Sequence, residues 1–188
     1  MEAWHWVFWI GVSYLSGSIL FARVFVSLLV SRSIDKVGDG NPGTVNAFKA
    51  LGYKRGILVM LLEFGKGFAP LFLATTFFGA SDWLACFMGM AAICGHAFPL
   101  FFRFQGGKAV AVTFGAWSGI TRWEAPTVLG IAMTIQLFVR LRDAYKTFVA
   151  MGFLLVYLLL FRWGSVPLFV LWAFNLGLLV FKHRKELG

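Results

Sequence analysis

Residues 56–78 read GILVMLLEFGKGFAPLFLATTFF and contain only two charged side chains, Glu63 and Lys66. A helix of this length can cross the hydrocarbon core of a bilayer, which needs about 20 apolar residues. Ionisable groups inside a span are costly, so they usually pair with one another or serve a function. Glu63 and Lys66 are three residues apart and share a helix face, so we expect a structural buried pair.

The whole chain has the composition of an integral membrane protein. Of its 188 residues, 60% are hydrophobic and 13% are charged, and the mean hydropathy is +0.80. A soluble domain is closer to half apolar and a quarter charged, so lipid is the expected solvent. The length suits one compact bundle, and we expect a single membrane-embedded domain over residues 1–188.

The same apolar pattern continues on both sides of residues 56–78 and predicts an all-α, polytopic helical bundle with seven transmembrane helices. The fourth and fifth are short, so either could be broken or re-entrant. We place the seven spans at Trp4–Val30, Gly56–Phe78, Trp83–Phe102, Ala109–Ile120, Ala125–Val139, Ala144–Phe161 and Ser165–Phe181.

The basic residues fall on one side of this arrangement. Thirteen lysines and arginines lie in residues 31–55, 103–108 and 140–146 and in the C-terminal tail, against Arg122 and Arg162 on the other side. Cytoplasmic loops carry such an excess, so the N-terminus is predicted outside and the C-terminus in the cytoplasm. This rule also accounts for the net charge of +9, and we expect no nucleic-acid partner.

Two of these basic segments have the pattern of an anion site. Residues 37–46, VGDGNPGTVN, combine three glycines with two asparagines and can form a nest of main-chain N–H groups. Gly106-Gly107-Lys108 directly precedes an apolar helix, where amides and one ammonium can bind an anion. An ordinary turn and a Gly-Gly linker with a snorkelling lysine are the structural alternatives.

Four stretches, taken in order, resemble one known family: LSGSI at 15–19, VGDGNPGTVN at 37–46, LEFGKGFAP at 62–70 and GHAFPLFFRFQGGK at 95–108. They resemble the bacterial acyl-phosphate:glycerol-3-phosphate acyltransferase family, also called the PlsY family. The resemblance runs from Tyr14 to Arg184, and the last stretch is the most specific.

This resemblance implies an enzyme of phospholipid synthesis in the bacterial cytoplasmic (inner) membrane. The family has seven spans, an outside N-terminus and a cytoplasmic active site, and it uses no metal or other cofactor. It transfers a fatty acyl group from acyl phosphate to the 1-hydroxyl of glycerol 3-phosphate and forms lysophosphatidic acid. The expected partners are these two substrates and membrane lipids; the oligomeric state is left open, with a monomer compatible.

The resemblance also implies roles for individual residues. Main-chain amides and one ammonium would stabilise the charge that develops on the acyl phosphate, as an oxyanion hole does. The acyl-phosphate pocket would use Asn41, Gly43, Asn46, Gly106, Gly107 and Lys108. The glycerol-phosphate site would use Asp39, Lys49, Lys108, His183 and Glu186. The candidate catalytic residues are Lys108, Asn46, His96 and Asp39.

Several positions depart from the family pattern. Asp39 stands where the family has Ser, Lys49 where it has Arg, Ala109 where it has Gly, and Glu186 about where it has Asn. One carboxylate about 5 Å from a phosphate costs on the order of 3 kcal/mol at an effective dielectric near 20.

Three interpretations therefore stay open. The carboxylates could be turned away from the pocket, with glycerol 3-phosphate still the acceptor. The chain could instead be a paralogue with a non-phosphorylated acceptor and Asp39 as general base. It could also be a non-catalytic membrane scaffold or anion-binding subunit. An unrelated transporter or channel is disfavoured, because most ionisable residues lie in cytoplasmic segments.

Overall fold

The computed structural model describes residues 3–30, 32–138 and 142–187. Within these ranges the regular structure is entirely helical, as predicted. Val139, the predicted end of the fifth span, and the basic residue Arg140 lie outside the described residues. The helices are α1 Ala3–Ser18, α2 Phe21–Val30, α3 Thr44–Phe77, α4 Asp82–Ala97, α5 Val110–Thr121, α6 Glu124–Ile135, α7 Asp143–Phe161 and α8 Val166–Leu187. Short 3-10 turns lie at Ile34–Lys36, Leu100–Phe102 and Gln136–Phe138.

Among the described residues, five helical stretches are long and apolar enough to cross a bilayer, which confirms the multi-pass membrane class. Helices α5 and α6 have 12 residues each and extend only about 18 Å. These are the predicted fourth and fifth spans, so the total of seven spans stays a prediction, as does the orientation of the termini. The five long stretches are Trp4–Val30, Thr44–Phe77, Asp82–Phe102, Asp143–Phe161 and Val166–Glu186.

The first predicted span is interrupted between α1 and α2, at Ile19 and Leu20. The break frees main-chain groups that lipid cannot satisfy. The amide of Ala22 donates to Glu63 Oε1 (3.0 Å), and Lys66 Nζ donates to the Ile19 carbonyl (2.5 Å). The buried pair of α3 therefore stabilises the break.

Helix α3 has a kink of its own at Gly52, where φ is +77°. With ψ at 178°, this positive-φ conformation is essentially restricted to glycine. The kink separates a short N-terminal piece, which carries Asn46 and Lys49, from the membrane-spanning part of the helix. The short piece thus belongs to the loop region that forms the candidate site.

Helix α5 packs closely against α3 through small residues. A Cβ at Gly115 would lie 2.0 Å from the Phe64 carbonyl oxygen, and one at Gly67 would lie 2.5 Å from that of Val112. On its other side, Trp117 Nε1 donates to Asn175 Oδ1 of α8 (3.1 Å). These contacts fix the N-terminus of α5, and with it Lys108, beside the loop between α2 and α3.

Candidate active site at the N-terminus of α5

The Gly-Gly loop before α5 lies directly against His96 at the end of α4. The amide of Gly107 donates to the His96 carbonyl (3.2 Å). A Cβ at Gly106 would lie 2.0 Å from that carbonyl oxygen, and one at Gly107 would lie 2.5 Å from His96 Nε2. Both positions therefore require glycine because there is no room for a side chain.

Two residues that the sequence analysis did not assign to the site hold this loop in place. Lys182 Nζ donates to the carbonyls of Ala97 (2.8 Å) and Gly106 (3.0 Å). The Tyr14 hydroxyl donates to the Phe98 carbonyl (2.9 Å). From the sequence, Lys182 is one of the basic residues of the C-terminal tail and has no predicted role in the site. Its position next to His183 was the one signal that could have identified it.

The second predicted motif meets the first. Lys108 Nζ lies 2.7 Å from Asp39 Oδ2. Asn46 Nδ2 donates to Asp39 Oδ1 (2.7 Å) and to the Asn41 carbonyl (3.0 Å). Asn41 Oδ1 lies 3.3 Å from the position of a Cβ on Gly107. The 37–46 turn and the 106–108 loop, distant in sequence, thus form one continuous surface.

Lys108 contacts two carboxylates, those of Asp39 and Glu186. Both carboxylates also line the cavity, so the interpretation in which they turn away from the pocket is wrong about their orientation. The physical reason is that the ammonium, four-fifths buried, needs counter-charges, and both carboxylates are within its reach. The site in this form has its main cation already neutralised.

The Asp39–Lys108 pair is charged at neutral pH. Burial would raise the pKa of Asp39, but hydrogen bonds from Lys108, the Asn41 amide and Asn46 lower it to about 2. Burial would lower the pKa of Lys108, but its hydrogen bonds to Asp39 and Glu186 outweigh that effect and raise it. Asp39 is consequently a weak base, which disfavours it as a proton acceptor in catalysis.

Ala109, the residue after Lys108, has φ of +65°. The resembled family has glycine here, and the left-handed conformation explains that preference. Alanine adopts it at a cost of roughly 1–2 kcal/mol. Alanine at this position therefore strains the turn into α5.

A cavity of about 880 Å³ extends from this site along α5. Its polar end is lined by most of the predicted site residues, and its walls are apolar side chains of α3, α5 and α6. A space with a charged end and an apolar body suits a ligand that has a phosphate head and a hydrocarbon chain. The polar lining residues are Asp39, Asn41, Thr44, Lys49, His96, Lys108, Asp143, Lys146, Thr147, His183 and Glu186; the others include Gly43, Met60, Leu61, Phe64, Val110, Phe114 and Met133.

The buried pair of α3 is present as predicted and extends to His96. Lys66 Nζ lies 2.6 Å from Glu63 Oε2 and 2.9 Å from His96 Nδ1. His183 is fixed separately, with Nδ1 2.8 Å from the Leu179 carbonyl. Within the described ranges, no group of three His, Cys, Asp or Glu side chains has the arrangement of a metal site.

Comparison with known proteins gives consistent matches over nearly the whole chain. The family model described as glycerol-3-phosphate acyltransferase matches residues 7–188. The chain is similar to glycerol-3-phosphate acyltransferase 1 of Thermotoga maritima, with 35% identity covering 96% of this chain and 95% of that protein. It is also similar to the glycerol-3-phosphate acyltransferase of Aquifex aeolicus, with 34% identity covering 94% and 90%.

Solved structures agree with the sequence relatives. The chain is similar to the crystal structure of PlsY, an integral membrane glycerol 3-phosphate acyltransferase, in its glycerol 3-phosphate form. The TM-score is 0.87 at 31% identity, covering 97% of this chain and 90% of the other. The lysophosphatidic acid form gives a TM-score of 0.84. Together with the motifs that meet around Lys108, these matches establish that the chain belongs to the glycerol-3-phosphate acyltransferase family.

Proposed function

We propose that this protein transfers a fatty acyl group from acyl phosphate to the 1-hydroxyl of glycerol 3-phosphate and forms lysophosphatidic acid. The observation that carries the proposal is the meeting of the two anion-binding motifs at Lys108, at the polar end of an otherwise apolar cavity. Family membership and the names of the relatives support the same activity.

The chemistry needs positioning and charge stabilisation more than a covalent nucleophile. The acceptor hydroxyl oxygen attacks the acyl carbon, a C–O ester bond forms, and the bond to the phosphate oxygen breaks. Phosphate leaves and takes the hydroxyl proton, so no separate base is required. Lys108, with the amide of Gly106, would stabilise negative charge on the donor in the transition state, while the amide of Gly107 holds the loop against the His96 carbonyl.

The acceptor would bind beside the donor, near Lys49 and His183, which line the same cavity. A substrate phosphate must compete with Asp39 and Glu186 for Lys108. In a resting enzyme the carboxylates would hold the ammonium in place until the donor arrives. This competition should weaken phosphate binding without removing it, because the ammonium of Lys49, which lines the same cavity, can still bind the phosphate.

A different acceptor is the second candidate function. The pairing of Lys108 with two carboxylates specifically favours it, because an acceptor without phosphate would not suffer their repulsion. Asp39 would then bind the acceptor hydroxyl through its free oxygen lone pairs. The low pKa of Asp39 disfavours it as the base.

For the placement in the membrane we propose one domain with seven spans, in which α5 and α6 are the two short ones. The N-terminus would be outside, and the site would face the cytoplasm of the bacterial inner membrane. The strong segregation of lysine and arginine supports this orientation. Cysteine labelling of single-cysteine variants at the loops would test it.

One assay separates the candidate functions. Purified protein is incubated with palmitoyl phosphate and, in turn, glycerol 3-phosphate, glycerol and an amino alcohol, and products are identified by mass spectrometry. We expect lysophosphatidic acid and released phosphate. Acylation of glycerol or of the amino alcohol in preference to glycerol 3-phosphate would establish the second candidate. Absence of palmitoyl phosphate consumption with every acceptor would indicate a non-catalytic scaffold.

A further inference from the structure

A buried cluster behind the Gly-Gly loop links α3 to the candidate site. Glu63, Lys66 and His96 are at most 5% exposed. The ammonium of Lys66 has three neighbours: the Ile19 carbonyl at 2.5 Å, Glu63 Oε2 at 2.6 Å and His96 Nδ1 at 2.9 Å. The mechanism described above uses neither member of the Glu63–Lys66 pair.

The hydrogen-bond donors and acceptors of this cluster determine which nitrogen of the His96 ring carries the proton. An ammonium has three N–H donors and no lone pair, so every partner of Lys66 must accept. A proton on His96 Nδ1 would therefore point against a proton of Lys66. Glu63 Oε2 could accept from Nδ1, but that contact is longer, at 3.2 Å, and the carboxylate is already paired with Lys66. The arrangement favours an unprotonated Nδ1, so the single proton of the neutral ring is on Nε2.

The other edge of the ring faces the Gly-Gly loop and the cavity. A Cβ on Gly107 would lie 2.5 Å from Nε2, and His96 lines the cavity together with Asn41 and Lys108. A proton on Nε2 makes this edge a hydrogen-bond donor at the place where an anion would lie. A bare Nε2 lone pair at the same place would repel a phosphate oxygen.

We propose that Lys66 is a positioning residue that holds His96 in the Nε2-protonated tautomer, so that the ring donates a hydrogen bond to the phosphate of the acyl donor. The phosphate part of this inference rests on the proposed function; the tautomer does not. Glu63 compensates the charge of Lys66 and caps α2, and His96 acts as a donor and not as a base.

Nitrogen NMR of the unmodified protein tests the tautomer directly. The chain has three histidines, and replacing each in turn by Gln assigns the 15N-labelled imidazole signals. The carbonyl partner of His183 Nδ1 can only accept, so His183 supplies an internal reference with a protonated Nδ1. We expect His96 to show the opposite pattern at neutral pH. A protonated Nδ1 on His96 would overturn the proposal, whether or not the protein turns over substrate.

A pair of variants tests the positioning role. In Lys66→Met, Glu63 becomes the partner of Nδ1, so we expect Nδ1 to gain a proton and the KM for palmitoyl phosphate to rise about tenfold. In Glu63→Gln, the donor Lys66 remains, so Nδ1 should stay unprotonated and the KM should change much less. If both variants raise the KM equally with no change at Nδ1, the pair is only structural. Titration with inorganic phosphate should shift the Nε2 signal of the unmodified protein, and no shift would remove the donor role.

Discussion

The ammonium of Lys108, at the start of α5, lies 2.7 Å from the carboxylate of Asp39 in the loop before α3. The same ammonium contacts Glu186 near the end of α8. One side chain thus joins three segments that are far apart in the sequence. Any phosphate that enters the site meets a cation that is already paired, and several predictions depend on this relationship.

Replacing Lys108 by Ala should abolish acyl transfer while the protein still inserts in the membrane. Loss of one preorganised donor to a developing charge costs about 10²–10³ in rate. Initial rates with palmitoyl phosphate check this. Lys54→Ala is the matched control, because Lys54 is exposed and outside the cavity. Comparable turnover in the Lys108 variant would remove this residue from the mechanism.

Replacing Asp39 by Ser should strengthen phosphate binding. The carboxylate is half exposed, so its screened repulsion is worth only ~1 kcal/mol, or about fivefold in the KM for either phosphorylated substrate. Asp35→Ser is the control, because Asp35 pairs with Arg23 and does not line the cavity. An unchanged or higher KM in the Asp39 variant would show that the carboxylate is compatible with the acceptor or needed by it.

The Asp39–Lys108 pair should stabilise the protein at neutral pH and lose this effect in acid. The pKa of Asp39 is lowered from 3.8 to about 2 in the folded protein, so the unfolded chain takes up a proton first as the pH falls. The contribution, ~1 kcal/mol after allowance for solvent, should disappear between about pH 4 and pH 2. Thermal unfolding of the protein and of Asp39→Asn should therefore differ at pH 7 and converge near pH 2. A difference that persists in acid would contradict the pairing.

Replacing Lys182 by Met should disturb the Gly-Gly loop before α5 but leave the packing of the helices unchanged. Its two bonds to the carbonyls of Ala97 and Gly106 are lost, so we expect a KM for palmitoyl phosphate raised by about tenfold, from a loss of ~1.5 kcal/mol. The unfolding temperature should change little in comparison. Lys185→Met, an exposed change three residues further on, should leave both quantities unaltered. An equal effect of the two substitutions would exclude a specific role for Lys182.

Replacing Gly106 by Ala should destabilise the loop by ~2 kcal/mol, because the new Cβ would lie 2.0 Å from a main-chain oxygen that cannot move aside cheaply. The unfolding temperature and the initial rate of acyl transfer should both fall. Gly152→Ala and Gly177→Ala serve as controls, since nothing lies within 4 Å of a Cβ at either position. These helical substitutions should be neutral or stabilise by up to ~1 kcal/mol.

Much of the fold and of the site could be predicted from local patterns. Apolar runs and the distribution of lysine and arginine indicated a multi-pass helical protein, and the comparisons and the structure confirm that class. The motifs around Asn41 and Lys108 indicated the family, which the comparisons confirm. The spacing of Glu63 and Lys66 predicted their pairing, because three residues on a helix place two side chains on one face.

Features that depend on contacts between distant segments could not be predicted. The break after Ser18 has no proline, and the Ser16-Gly17-Ser18 run is only a weak local signal; side chains of α3 more than 40 residues away stabilise the break. The turn of Asp39 and Glu186 toward Lys108 depends on the burial of that ammonium, which sequence does not give. The loop contacts of Lys182 arise from α8 lying beside the end of α4.

The interruption between α1 and α2 has a consequence for biosynthesis. Until α3 emerges, the first hydrophobic segment exposes main-chain groups that Glu63 and Lys66 bind in the folded protein, and α3 alone would carry these two ionisable side chains into lipid at a cost of roughly 2.5–3.5 kcal/mol each. Each segment should therefore be more stable in the membrane when it is paired with the other than when it is alone. The two should leave the translocon as a pair, and a ribosome stalled before α3 is complete should hold its nascent chain within reach of an insertase.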